Sequence, residues 1–132
     1  MSGTEKERDC PRKVAADVFL GDGRGPELQR LIWRMNGTAL RAAEYRSAGE
    51  SSMRHVVFEG VQVVQITPEE VLGAALSPSA EGYAIDLGRS EWLQSFNPHH
   101  LGACKHYRLL FYDELLDVIC ESLSFRPGPY ME

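Results

Sequence analysis

A chain of 132 residues is long enough to bury one sizeable core and too short for two comfortable domains. Its apolar fraction of 43% and charged fraction of 25% sit close to globular averages, which excludes wholesale disorder. With 14 Lys and Arg against 19 Asp and Glu the net charge is −5, and an acidic surface with scattered cations disfavours nucleic-acid backbones and anionic membranes as partners.

Residues 1–13 are polar and charged, and their basic patch from Lys6 to Lys13 is interrupted by Glu7 and Asp9. They read as a mobile tail, leaving 14–132 as a single domain. Val14 to Leu20 suits a short first strand. Gly21-Asp22-Gly23-Arg24-Gly25-Pro26 cannot be regular structure and marks a loop. Residues 27–46 allow two readings. Leu28, Leu31, Ile32 and Met35 have helical spacing. Leu31, Trp33 and Met35 also alternate with Ile32, Arg34 and Asn36, and Asn36-Gly37 is the favoured two-residue hairpin turn. We prefer the hairpin, returning through Arg41 to Tyr45, and leave the helix open.

Ser47 to Met53 reads as a loop. Arg54 to Ile66 is β-branched and aromatic and reads as a strand, with a bulge or bend where Gly60 breaks the alternation. Thr67-Pro68-Glu69-Glu70 has the signature of a capped helix start, with Val71, Leu72 and Ala75 facing inward and Ser77-Pro78 as the stop. Tyr83 to Leu87 is a short strand. Ser90 to Phe96 is one or two helical turns that place Trp92, Leu93 and Phe96 on one face and end at Asn97-Pro98. Lys105 to Tyr112 and Leu116 to Phe125 form a last hairpin about Asp113-Glu114-Leu115, and Pro127-Gly128-Pro129 ends the fold.

The expected fold is therefore α+β: mainly antiparallel β-structure, as one sheet or a partly open barrel, with two short helices after Ile66 and Gly88. The expected core is Val56, Phe58, Val61, Val63, Trp92, Leu93, Tyr107, Leu109, Phe111, Val118 and Cys120.

Four groupings invite chemistry. His99, His100, Cys104 and His106 are of the residue types that bind zinc, but their spacing matches no standard site, and the ordinary reading has His99 and His100 exposed after a helix end and His106 on a strand face. Cys104 with His106 or His100 has the makings of a nucleophile pair oriented by Asp113 or Asp117, yet nothing in the sequence lowers that thiol. Asp113, Glu114, Asp117 and Glu121 cluster at the last hairpin. Paired carboxylates can do acid–base work, but here the solvent face of a sheet is the simpler account. The Gly21–Gly25 stretch resembles a phosphate loop in composition alone, and only Glu44 lies at a ribose-binding distance behind it. No nucleophile–base–orienter set stands out, so no enzyme and no cofactor are expected.

Cys10, Cys104 and Cys120 make no disulfide framework. The first residues lack a signal-peptide pattern and no run is long enough for a membrane span, so a cytoplasmic location is expected.

Phe58-Glu59-Gly60-Val61, Ser90-Glu91-Trp92-Leu93, His106-Tyr107-Arg108 with Phe111, and Asp117-Val118-Ile119-Cys120-Glu121 occur in this order. The order resembles small uncharacterised bacterial β-rich domains, some of which resemble immunity proteins of contact-dependent toxin systems. The likeness covers residues 54–125 and implies a binding protein. The expected function is accordingly a non-catalytic protein-binding domain, of the toxin-neutralising kind, that meets a basic protein partner through Tyr112, Asp113, Glu114, Asp117 and Glu121. The alternatives are a module that forms a homodimer through a strand edge, and a small metal-binding protein using the His/Cys cluster.

Overall fold

The computed structural model describes residues 12–13, 19, 26–34, 39–47, 51–72 and 83–131. Among these residues nine strands form two antiparallel sheets. Sheet A has the order β1-β6-β7-β8-β5, from Arg12–Lys13, Ala84–Asp86, Lys105–Leu110, Glu114–Cys120 and Val63–Pro68. Sheet B has the order β2-β3-β4-β9, from Glu27–Trp33, Leu40–Arg46, Arg54–Glu59 and Ser122–Pro127.

The α+β expectation of one sheet or a partly open barrel is thus overturned. Among the described residues strands dominate in two sheets, and the helical signals amount to single turns: α1 (Glu69–Leu72), α2 (Glu91–Gln94) and a 3-10 turn (Pro98–Leu101). Four residues close too few hydrogen bonds to make a helical layer. The strand reading of the 27–46 stretch holds over its described residues, since β2 and β3 pair antiparallel from Glu27↔Arg46 to Trp33↔Leu40. Its Asn36-Gly37 turn lies outside the described residues, as do the Gly21–Gly25 loop and all but Phe19 of the Val14–Leu20 strand.

The two sheets are joined by strands that cross from one to the other. The stretch read as one strand from Arg54 to Ile66 is β4 of sheet B and then β5 of sheet A, and it turns at Gly60 with φ 65°. Its antiparallel partner does the same: β8 lies in sheet A, β9 in sheet B, and Glu121 stands between them. The ladder continues around this corner, because Gln62 N–H donates to the Ile119 carbonyl at 2.8 Å and Glu121 N–H to the Glu59 carbonyl at 2.9 Å. Strands that bend from one sheet into another are a known way to make the corner of a packed pair of sheets.

Gly60 is needed there twice. Its φ belongs to the left-handed region, and an added Cβ would lie 2.7 Å from the Glu121 side chain. That side chain is exposed and can swing away, whereas the dihedral cost stays. We expect Gly60→Ala to lower unfolding free energy in urea by about 1–2 kcal/mol, the left-handed penalty of a non-glycine residue. Adding Glu121→Ala should not restore it. A loss too small to resolve would show that the corner relaxes.

The main core lies between the sheets: Leu40, Ala43 and Tyr45 from β3, Val56 and Phe58 from β4, Tyr107 and Leu109 from β7, Leu116, Val118 and Cys120 from β8, with Phe19 and Phe111. Strand β8 is buried on both faces, which is why Leu115 to Cys120 is nearly all apolar. Its other face, with Leu115, Asp117 and Ile119, is covered in part by a second cluster of Leu93, Leu101 and Cys104 from α2 and the segment after it, with Trp92 and Val63 packed against it. The other expected core residues are buried, while Val61, Val63 and Trp92 are half-buried at the margins.

The helix start at Thr67 needs correction. Thr67 and Pro68 remain in β5, paired with Leu115 and Glu114, and Val71 is exposed rather than inward. Pairing with β8 outweighs the local capping signal, and the edge position of β5 accommodates a proline. Ala75 and Ser77-Pro78 lie outside the described residues.

Candidate functional site

Two arrangements stand out, one on the outer face of each sheet. On sheet A, Arg108 of β7 pairs with Asp117 of β8, so Arg108 and its same-face neighbour His106 both reach this carboxylate. His106 Nε2 lies 2.6 Å from Asp117 Oδ1, and Arg108 Nε donates to the same oxygen at 2.9 Å. His106 Nδ1 lies 2.7 Å from Ser90 Oγ. In the neutral tautomer that satisfies all three residues, Nε2–H donates to Asp117 and Nδ1 accepts from the Ser90 hydroxyl. Burial pushes the Asp117 carboxyl up, but the hydrogen bond from His106 and the charge and hydrogen bond of Arg108 outweigh it and hold it below its ordinary value.

His106 with Asp117 is one of the base–orienter pairs expected for Cys104, but Ser90 takes the place of that thiol, and the three residue types are those of a hydrolytic triad. Its setting is that of a clasp. His106 and Asp117 are buried, the Trp92 ring lies 4.8 Å from the imidazole, and Ser90 Oγ already accepts the Leu93 N–H as the N-cap of α2. The chain fastens α2 to sheet A. Among the described residues no buried side-chain nitrogen or oxygen lacks a partner.

The proposed zinc residues are not brought together. His99 and His100 are exposed on the 3-10 turn, Cys104 is buried against Ile119, and both ring nitrogens of His106 are engaged as above. Among the described residues no group of three or more His, Cys, Asp or Glu is placed to hold a metal ion. Burial, followed by the charge of Glu121, pushes the Cys104 thiol up, opposite to what a nucleophile requires. Cys120 is pushed to about 12, chiefly by burial.

The acidic hairpin surface is broken up as well. Tyr112 and Asp113 lie in the β7–β8 turn and Glu114 opens β8, Asp117 is buried in the clasp, and Glu121 stands at the sheet corner beyond the far end of β8. Asp117 therefore leaves the proposed partner surface, because the sheet face that carries it is covered rather than solvated. Glu114 is half-buried, and burial followed by the Asp113 charge raises its carboxyl. Glu44, the candidate ribose-binding acid, is buried and ion-paired to Arg30 at 2.8 Å.

On sheet B a cleft of about 780 Å³ opens over the strands β3, β4 and β9. Strand β3 carries one extra residue here: Ala42 faces Ile32 and Leu40 faces Trp33, leaving Arg41 unmatched. Such a bulge re-aims a side chain. Leu40 and Ala43 both enter the core, while Arg41 is exposed and donates from Nε to the Tyr130 hydroxyl. His55 and Arg126 face one another across β4 and β9 and both line the cleft.

Residues after β9 build the opposite wall. Gly128, with φ 79°, turns the chain so that its carbonyl accepts from His55 Nδ1–H at 2.9 Å. Tyr130 N–H donates to Glu44 Oε2 at 2.8 Å, and the Tyr130 ring meets the His55 ring edge-on at 5.6 Å. The hydrogen bond from Arg30 is the main reason the Glu44 carboxyl lies below its ordinary value; burial opposes this and the Tyr130 amide reinforces it. Pro127-Gly128-Pro129, read as the end of the fold, is thus part of the cleft wall. None of the residues of this cleft belongs to the partner surface, metal cluster or catalytic groupings expected from the sequence.

No protein-family model matches the chain, and no curated protein or solved structure is similar to it. The resemblance of residues 54–125 to immunity-type domains gains no support from them.

Proposed function

We propose that the chain is a non-catalytic binding domain whose working surface is the cleft on sheet B. One observation carries this reading. The segment Gly128–Tyr130 is pinned by hydrogen bonds to His55, Glu44 and Arg41, and it stands as a wall beside about 780 Å³ of open space. That size lies within the roughly 300–1,000 Å³ typical of small-ligand sites. The chemically suggestive groups elsewhere support a binding role over a catalytic one, since the Ser90–His106–Asp117 chain is packed under Trp92 and the Cys104 and Cys120 thiols are raised.

The test is an amide NMR screen of uniformly labelled protein against mixtures of small metabolites and fragments, charged and neutral. We expect resonance shifts to concentrate on residues 39–41, 55–62 and 126–131. Shifts concentrated on the β7–β8 turn or near Ser90 would overturn the choice of surface, and absence of any specific shift would overturn the binding role.

A further inference from the structure

The cleft contradicts the charge of the protein that carries it. The chain as a whole has a net charge of −5. Among the described residues the cleft is lined by three arginines, Arg34, Arg41 and Arg126, with His55, against the single carboxylate of Glu59. Neither Arg34 nor Arg126 enters an ion pair among the described residues. Gathering like charges costs free energy unless something neutralises them, and here the gathering is built in: Arg34 follows β2, the bulge turns Arg41 outward, and the β4–β9 register sets Arg126 beside His55.

We propose that this cleft binds a small molecule through a phosphate or pyrophosphate group, with Arg34, Arg41 and Arg126 as its guanidinium partners. This rests on the reading of the cleft as the binding surface. A single carboxylate is satisfied by one guanidinium fork. Cations arriving from three separate places on the sheet, the end of β2, the β3 bulge and β9, instead suit a tetrahedral, multiply charged oxyanion whose oxygens point in several directions. His55 is fixed beside them, because its Nδ1–H is committed to the Gly128 carbonyl. Val57, Val61, Pro129 and Met131 supply apolar lining for the organic remainder of such a ligand. Glu59 at the same cleft and the acidic balance of the chain disfavour a long polyanion, so the ligand is a small molecule rather than a nucleic acid.

The experiment is calorimetric titration at low salt with inorganic pyrophosphate, inorganic phosphate, citrate as a carboxylate polyanion, and a short single-stranded oligonucleotide, with the same ligands followed by amide NMR. Pyrophosphate should bind saturably, tighter than citrate and the oligonucleotide, and shift the cleft residues. Arg34→Gln with Arg126→Gln should weaken it by about tenfold or more, the loss expected for charge-assisted hydrogen bonds. Both side chains are exposed, so the melting temperature should hold. No saturable pyrophosphate binding, equal affinity for citrate, tighter binding of the oligonucleotide, or binding indifferent to the double variant would each overturn the proposal. If neutral fragments still cluster in the cleft while pyrophosphate does not bind, the phosphate assignment falls and the binding role stands; if neither binds, both fall.

Discussion

Asp117→Ala should lower unfolding free energy by about 3–5 kcal/mol, the range found when one partner of a buried charged pair is removed. The carboxylate is 4% exposed and takes hydrogen bonds from His106 and Arg108 on one oxygen. Without it, His106 keeps Ser90 on Nδ1 and loses its partner on Nε2, in a position with 2% exposure. Arg108 is better solvated and its share is smaller, since exposed pairs are screened. Asp117→Asn retains an acceptor for His106 and should cost less, about 1–3 kcal/mol. The pH dependence has a definite sign. The carboxyl lies below its ordinary value of 3.8, so its stabilisation is complete above that value and is lost as pH falls through the folded-state value. Glu44 acts in the same direction from an ordinary value of 4.5, whereas Glu114, raised in the folded state, acts in the opposite one. Urea unfolding from neutral pH into the acid range should show a shallower acid limb for Asp117→Ala than for the unaltered protein. A loss under about 1 kcal/mol, the range of a surface pair, would mean that the clasp does not hold α2.

The full clasp and the cleft were illegible in the sequence for different reasons. Asp117 was read as part of a solvent face because it lies near Asp113, Glu114 and Glu121. A signal to the contrary was present, since it is the one charge within Leu115 to Cys120, a run suited to burial on both faces. His106 was legible as a partner for Asp117, whereas Ser90 is brought in by the packing of α2, which spacing does not reveal. The cleft left no local signal at all. Arg34, Arg41 and Arg126 looked like scattered cations, and it takes the β2–β3 register with its odd residue, plus a C-terminal segment folded back on sheet B, to collect them. Net charge describes the chain as a whole and does not reveal the charge of a single concavity.

In the fold, the two strongest strand signals were legible because β-branched and aromatic residues dominate them. Gly60 announced its own bend. The matching break at Glu121 has no glycine or proline beside it, and it follows from the partner strand turning at Glu59-Gly60. A one-strand reading of residues 116–125 therefore merged two sheets into one.

Phe19→Ala is expected to cost about 3–5 kcal/mol, as for other large buried aromatics. Phe19 is 2% exposed and stands edge-on to three rings, with centroids 4.9 Å from Tyr45, 5.3 Å from Phe111 and 5.5 Å from Phe125. Tyr45 and Phe125 belong to sheet B and Phe111 follows β7 of sheet A, so one ring bridges the two halves of the core. Such edge-to-face pairs add about 0.5–1.5 kcal/mol beyond the area they bury. Removing the ring leaves a void that both sheets must shift to fill, and strands tied together at the Gly60–Glu121 corner cannot shift independently. Phe19→Leu should recover much of the loss by restoring volume without the ring contacts. Phe96→Ala is the control: that ring is 38% exposed, meets Trp92 alone among the described aromatic contacts, and should cost about 1 kcal/mol or less. Chemical denaturation of the three variants decides the point. Should Phe19→Ala cost no more than Phe96→Ala, the Phe19 ring is not a keystone of the inter-sheet core, and Tyr45, Phe111 and Phe125 hold that centre without it.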